Sequence, residues 1–305
     1  MSRLLLTTLF LAFLHASTAV AADTQTDDPL SGRSVQDEGR MEKSSRLISN
    51  AFFNLDDDLK GIALYPIEHT RETLFFLGGI GALVAVDKPV TRYYQDKVEP
   101  VFNGYTIKTP GWGANLGLNG ADSYLVAGIA GSYALGIAFN DEKSQQAALL
   151  ATKASIYSIM LSHLLLKAIT GRQRPVSNLS TATGDKPPFT TDPYAFGHFT
   201  KPTLGSFSGG SSMPSYHFTQ YFAVARVYAK VYDNYLIPYG VAAALLTADI
   251  KSHRHWVADM VAGALIGTMI GSVVAGNAED TTASTTMVFP AYSGEQISLN
   301  IYHQF

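Results

Sequence analysis

Apolar residues are grouped along this chain in blocks of helical length, and strand signals are poor until the C-terminal end. The blocks carry no charge and are rich in Gly and Ala; they cover residues 73–86, 123–139, 154–166, 234–248 and 260–278. A long polar loop at 176–213 interrupts them, rich in Ser, Thr, Gly and Pro. The pattern predicts an all-α helical bundle. A loop of that length inside a domain is often functional.

The C-terminal tail has a different pattern. Residues 286–290 and 296–302 have β character, with turn residues at 292–295 between them. This alternation predicts a small β-hairpin within a tail at 277–305.

The N-terminus has the pattern of an export signal. Arg3 precedes the apolar stretch 4–14, and Ala19-Val20-Ala21 is a small-x-small cleavage pattern. We therefore expect a signal peptide at 1–21. Polar residues at 22–50 then indicate a flexible leader, so the helical domain is expected at 51–276.

The signal predicts an exported protein, with the bacterial periplasm as the expected location. A membrane-spanning helix needs about 20 apolar residues, and only the run at 260–278 approaches that length. We therefore expect a compact helical protein. Glycine-rich, tilted spans can produce the same pattern, so a protein embedded in the inner membrane is the alternative.

Composition narrows the classes of partner. The formal net charge is −3 and only 15% of residues are charged, so no basic surface for nucleic acid is expected. The chain contains no cysteine, which leaves disulfides out of its stabilisation.

Three cations follow an almost uncharged helical run: Lys167, Arg172 and Arg174, with Pro175 next. Cations in a last helical turn can simply complement the helix dipole. Lys167 and Arg174 are also seven residues apart, two turns on one face if the helix continues. Two such cations can hold a phosphate, with Arg as a bidentate fork and Lys as a point charge.

Two further segments place polar groups beside a helix end. Ser215 and His217 precede or open a helical segment, where free N–H groups form an anion site; a simple helix cap is the alternative. His255 and Asp259 are four apart and share a helical face, so the carboxylate can fix the imidazole tautomer. A metal set of His253, His255 and Asp259 is the weaker interpretation.

The order of the three segments resembles the type 2 phosphatidic acid phosphatase (PAP2) superfamily, which includes bacterial acid phosphatases and vanadium haloperoxidases. The resemblance covers roughly residues 150–275. The residues that carry it are Lys167 with Arg174 and Pro175, then Pro214, Ser215 and His217, then His255 with Asp259. Two positions depart from the family pattern: Tyr216 replaces a Gly, and Asp249 replaces an Arg six residues before His255.

The resemblance implies hydrolysis of phosphate esters through a phosphohistidine, with neither a metal nor another cofactor. It makes His255 the nucleophile, Asp259 its partner and His217 the general acid–base. It assigns phosphate binding to Lys167, Arg174 and Ser215, and Arg254 is the candidate to replace the missing Arg. The substrate is then a phosphorylated small molecule or a lipid phosphate. The alternatives are a vanadate-dependent haloperoxidase and a relative that binds phosphate or lipid without catalysis.

Overall fold

The computed structural model describes residues 39–53, 55–182, 185, 188–199, 211–248, 250, 254–280, 285–292 and 297–304. The predicted signal peptide, the leader up to residue 38, and Asp249, Lys251 and His253 lie outside the described residues.

The chain is built mainly from α-helices, which confirms the all-α part of the predicted fold. They are α1 Arg40–Phe53, α2 Leu55–Glu68, α3 Thr70–Ala85, α4 Asp87–Tyr93, α5 Gly111–Asn115, α6 Gly120–Ala138, α7 Glu142–Ser158, α8 Lys167–Thr170, α9 Tyr216–Tyr232, α10 Leu236–Thr247 and α11 Val257–Asp280. The π-helical stretch Ile159–Leu166 joins α7 to α8, and Tyr94–Val98 (π) and Glu99–Phe102 (3-10) extend α4.

Two strands are placed after α11, β1 Thr285–Tyr292 and β2 Ile297–Gln304, in antiparallel register. The C-terminal hairpin at 277–305 stays a prediction.

The helix that leads to the first candidate segment is continuous from 142 to 170. Asp141 caps its start, because the Asp141 side chain accepts a hydrogen bond from the Lys143 N–H. Gly171 ends it in the left-handed conformation (φ 51°), and its N–H donates to the Lys167 carbonyl. A Cβ at Gly171 would lie 2.7 Å from the His198 backbone nitrogen. The helix therefore ends at Gly171, three residues before Arg174. Lys167 and Arg174 thus do not share a helical face, which would have required the helix to continue.

Helices α9 and α11 form the centre of the bundle, with α7 packed against both. Their contact is very close along one face of α11. A Cβ at each of three glycines there would meet an α9 carbonyl oxygen, at 2.5 Å for Gly263, 2.2 Å for Gly267 and 2.5 Å for Gly271. The three glycines therefore let α9 pack directly against the backbone of α11.

The N-terminal helices pack on this core through both apolar and charged contacts. In α1, Leu47 and Ala51 are buried against Leu149 of α7. In α2, the buried Asp58 pairs with Lys153 at 2.6 Å. Helix α1 thus begins at Arg40, ahead of the expected start of the domain at 51, because its apolar face has a partner on α7.

Several apolar surfaces face away from the core. Helix α3 buries none of its residues, and Leu74, Phe75 and Leu77 are 63%, 76% and 60% exposed. Within the described residues, the helices Glu142–Thr170 and Val257–Ala278 are long and apolar enough to cross a membrane. The pair Thr70–Ala85 and Asp87–Phe102, bent by 74°, would be a third such segment if it counts as one span.

Candidate functional site

Lys167 and Arg174 lie on either side of the turn that ends the long helix. Lys167 is buried in the last helical turn, and the Ser211 hydroxyl donates to its carbonyl at 2.6 Å. Arg174 is buried in the extended segment that follows. Burial lowers the pKa of the Arg174 guanidinium to about 10, with Asp259 raising it and Arg254 lowering it further. Arg174 therefore remains a cation at neutral pH.

His255 lies between Arg174 and Asp259. Its Nε2 is 3.3 Å from Nη1 of Arg174, and its Nδ1 is 3.6 Å from Oδ2 of Asp259. A guanidinium only donates hydrogen bonds, so the contact with Arg174 requires a lone pair on Nε2. The ring proton then belongs on Nδ1, facing the carboxylate. The arrangement leaves the lone pair on Nε2, facing the Arg174 guanidinium.

Asp259 is held in place by several donors. The Trp256 N–H donates to its Oδ2 at 3.0 Å, and Nη1 of Arg172 donates to its Oδ1 at 2.6 Å. The carboxylate is fully buried. Fixed donors on both oxygens give Asp259 one orientation, in which Oδ2 faces the imidazole.

Ser215 lies at the start of α9, next to the backbone of Asp259. Its N–H donates to the Asp259 carbonyl at 2.9 Å. Its hydroxyl is buried and has no hydrogen-bond partner among the described residues. A buried hydroxyl without a partner costs free energy unless a ligand or water satisfies it. Ser215 thus has the properties expected of a group that binds a ligand oxygen.

His217 lies in the first turn of α9 and contacts the start of α6. Its Nε2 is 3.4 Å from Oδ2 of Asp122 and 3.4 Å from Nδ2 of Asn119. The centroid of the Tyr216 ring is 5.4 Å from that of His163 and 5.4 Å from that of His217. Tyr216, at the position where the resemblance expects a glycine, therefore lies next to His217, the candidate acid, in a group of three adjacent rings.

Arg254, the candidate to replace the missing arginine, is bound to the long loop. Its Nη1 donates to Oδ1 of Asp185 at 3.2 Å, and its guanidinium stacks 4.7 Å from the centroid of the Phe189 ring. Bonds from Ser177 and then the Arg254 charge hold the pKa of Asp185 below its usual range. The Arg254 side chain is 34% exposed. Arg254 thus lies at the edge of the cluster, paired with a carboxylate.

Of the predicted metal set, His255 and Asp259 lie among the described residues. Among the described residues, no three His, Cys, Asp or Glu side chains converge in a way that could hold a metal ion. His253, the third member of the metal interpretation, lies outside them, as does Asp249.

Sequence reasoning missed two acidic residues that contact the site. Asp87 of α4 bonds Arg172, and Asp122 of α6 contacts His217. Each stands next to a long apolar run, at 73–86 and 123–139. Acidic residues are rarely buried without a partner, so an isolated acid beside such a run was the available signal.

Comparison with known proteins gives one match. The family model of the PAP2 superfamily matches residues 147–281, which span α7 to the end of α11. No curated protein and no solved structure matches the chain.

Proposed function

We propose that this chain hydrolyses phosphate esters through a phosphohistidine. Its residues 147–281 belong to the PAP2 superfamily, and this superfamily suggests phosphatase or related activity. The observation that carries the proposal is the placement of His255. Its Nε2 faces Arg174 at 3.3 Å and its Nδ1 faces Asp259 at 3.6 Å. A nucleophile oriented by a carboxylate and directed at cations suits attack on phosphorus.

In the first step, Nε2 of His255 attacks phosphorus and the bond to the ester oxygen breaks. His217 gives its proton to the leaving oxygen, and Asp259 stabilises the positive imidazole that carries the phosphoryl group. In the second step, water attacks phosphorus and gives a proton to His217, and the P–N bond breaks. The products are an alcohol and inorganic phosphate, with both histidines restored.

The cations supply the charge stabilisation. Lys167 and Arg174 face the equatorial oxygens of the transferred group, and Ser215 donates its hydroxyl to one of them. Both cations are buried, and their effect on phosphate is greater there than in water. The proposed reaction therefore needs no metal ion, because side-chain cations neutralise the developing charge. Arg254 contributes from the edge of the cluster.

The exposed apolar surfaces support the membrane-embedded alternative over a soluble periplasmic protein. Soluble monomers rarely expose contiguous apolar patches of this kind, and α3 buries none of its residues. The chain passes from α3 directly into α4. Asp87 of α4 is buried and pairs with Arg172, which also pairs with Asp259. This places the candidate site beside a surface suited to lipid, and we therefore favour a lipid phosphate as substrate over a soluble ester.

Trapping of the intermediate tests the proposed chemistry. Rapid acid-free quenching with a ³²P-labelled substrate should give an acid-labile, base-stable phosphoprotein in the wild type. Absence of both turnover and phosphoprotein would leave the non-catalytic alternative. Halide oxidation with added vanadate tests the haloperoxidase. Extraction from membranes by detergent, and not by alkaline carbonate, tests the location.

A further inference from the structure

Arg172 is completely buried at the centre of the site. Its Nη1 donates to Asp259 at 2.6 Å and its Nη2 donates to Asp87 at 2.9 Å. Its Nε and Nη2 also donate to the Pro193 carbonyl, at 3.0 and 2.7 Å. Its guanidinium carbon also lies over the Phe196 and Trp256 rings, 5.0 and 5.2 Å from their centroids. Arg172 is therefore fixed as a bridge between two carboxylates, rather than available to phosphate.

Asp87 forms the far end of this bridge. It is fully buried at the first residue of α4. Its Oδ1 accepts hydrogen bonds from the Thr91 hydroxyl at 2.9 Å and from the Ala258 N–H at 3.3 Å. The second of these bonds ties Asp87 to the helix that carries Asp259. Asp87 lies outside the segment that matches the superfamily model.

We propose that Asp87 is a positioning residue for His255, acting through Arg172 and Asp259. The chain of contacts runs from Asp87 to Arg172, then to Asp259, then to Nδ1 of His255. The proposal rests on the proposed function, because it assigns a role in the reaction of that same histidine.

Asp87 changes the net charge that the imidazole of His255 faces. A single guanidinium shared by Asp87 and Asp259 leaves one net negative charge on the three side chains. Without Asp87, Arg172 would neutralise Asp259 alone, and the imidazole would face an ion pair with no net charge. A phosphorylated imidazole is positive and needs that charge.

The surroundings of His255 make this charge necessary. Arg174 faces its Nε2, Lys167 interacts electrostatically with both Arg174 and Asp259, and Arg254 adds a cation at the edge. The carboxylate that faces the ring is Asp259, while Asp185 pairs with Arg254. Cations disfavour a positive imidazole. The second carboxylate, held behind Arg172, offsets part of that effect.

Geometry gives the second part of the argument. Arg172 presents a planar fork, and bonds from its two terminal nitrogens fix the positions of both carboxylates. Removal of the Asp87 charge breaks one of the two carboxylate bonds of the fork and leaves Nη2 bonded to the Pro193 carbonyl alone. Asp87 thus controls both the charge and the direction of the carboxylate that faces His255.

The test compares two buried aspartates. Asp87→Asn removes the proposed charge, and Asp58→Asn is the matched control. Asp58 is also fully buried, pairs with Lys153 at 2.6 Å and accepts from Asn277 at 2.9 Å. Lys153 precedes Lys167 by fourteen residues on one helix, about 20 Å along its axis. The control therefore breaks a buried ion pair far from the reacting histidine.

The readout is the pH titration of His255 in the full-length protein. It is monitored by NMR of ¹³C-labelled histidine, and the His255 signal is assigned by its absence in His255→Ala. Asp87→Asn should lower the midpoint by about one unit. The acidic limb of kcat/KM should move in the same direction, and kcat should fall about tenfold. Asp58→Asn should leave both the midpoint and the limb where they are in the wild type.

Equal midpoints in Asp87→Asn and the wild type would overturn the proposal. If Asp87→Asn does not fold, Asp87→Ser is measured instead, since its hydroxyl can accept the Ala258 bond. Failure of both to fold, with Asp58→Asn folded, would also overturn it by making Asp87 a purely structural residue. If the wild type does not hydrolyse phosphate esters, the proposed function fails, and the NMR titration still decides the role of Asp87.

Discussion

A Cβ atom on Gly263 would lie 2.5 Å from the carbonyl oxygen of Ser215. No side chain fits in that gap without moving the backbone of α9 or α11. The N–H of the same serine donates to the Asp259 carbonyl at 2.9 Å. The contact between Gly263 and Ser215 therefore sets the position of the Ser215 hydroxyl, the proposed phosphate ligand, relative to the helix that carries Asp259.

Gly263→Ala should separate the two helices at the site. We expect kcat/KM to fall at least about tenfold, because a small displacement of a positioning group has large kinetic effects. Overpacking should also lower the free energy of unfolding by about 1–3 kcal/mol. Steady-state kinetics and thermal unfolding in detergent measure the two effects.

Gly276→Ala is the matched control on the same helix. The nearest atom to its new Cβ is Nζ of Lys230, at 4.0 Å. Activity should stay at the wild-type level, and helix propensity should raise stability by up to about 1 kcal/mol. Full activity in Gly263→Ala would show that the close approach serves packing alone.

The long helix and the three segments could be predicted because their signals are local. The apolar block at 154–166 predicts a helix, and the helix that contains it covers 142–170. Its apolar composition and the Gly and Pro that follow are sufficient for this. Residues 91–122 separate the apolar blocks 73–86 and 123–139, yet they contain the short helix Gly111–Asn115 and the first residues of α6. Their glycines and prolines indicated turns, while tertiary contacts allow short helical turns between them.

The support of the site could not be predicted, because it depends on contacts between distant residues. Asp87 and Arg172 are 85 residues apart, and His217 and Asn119 are 98 apart. Arg172 stands between Lys167 and Arg174 in the sequence, and its position alone does not separate it from these two candidate phosphate ligands. The structure instead binds its guanidinium to Asp87, Asp259 and a carbonyl. Only the folded structure shows which of the three neighbouring cations pairs with buried carboxylates.

The two histidines should have separable effects. His255→Ala should abolish both turnover and the labelled phosphoprotein, because it removes the nucleophile. His217→Ala should slow turnover by about 10²–10⁴-fold. With a good leaving group it should still accumulate phosphoprotein, since such a group needs little protonation. Normal turnover in His255→Ala would be incompatible with the proposed mechanism.

Arg172→Met should destabilise the protein strongly. It leaves Asp87 and Asp259 buried together without a counter-ion, and breaking such a buried pair costs about 3–5 kcal/mol. Arg254→Met is the matched control, because that side chain is partly exposed and pairs with Asp185. Loss of a partly exposed pair costs at most about 1 kcal/mol. Equal unfolding temperatures of the two variants would contradict the buried bridge.

Hydrolysis should be independent of metal and sensitive to vanadate. Exhaustive chelation should leave turnover unchanged, because Lys167 and Arg174 provide the positive charge. Vanadate should inhibit competitively, since it imitates five-coordinate phosphorus at the same cations. Loss of activity on chelation, restored by zinc, would instead favour the metal interpretation that includes His253.

Arg254→Ala tests whether this residue replaces the arginine that the family has six positions before His255. The charge of Arg254 is close enough to lower the pKa of Arg174, so a phosphate bound at Arg174 lies within its field. We expect kcat/KM for a phosphomonoester to fall about tenfold, which corresponds to roughly 1.4 kcal/mol. Asp185→Asn should instead raise kcat/KM, because it releases the Arg254 guanidinium from the Asp185 carboxylate.

A double variant distinguishes the two sources of positive charge. Asp249→Arg restores the family residue, so Arg254→Ala should cost less in that background than in the wild type. If Arg254 already fills the role, Asp249→Arg alone should change kcat/KM little. A phosphomonoesterase whose kinetics respond to neither substitution would hold its substrate through Lys167, Arg174 and Ser215. In that case the pairing of Arg254 with Asp185 only anchors the long loop, because the guanidinium would then contact loop residues and not the phosphate.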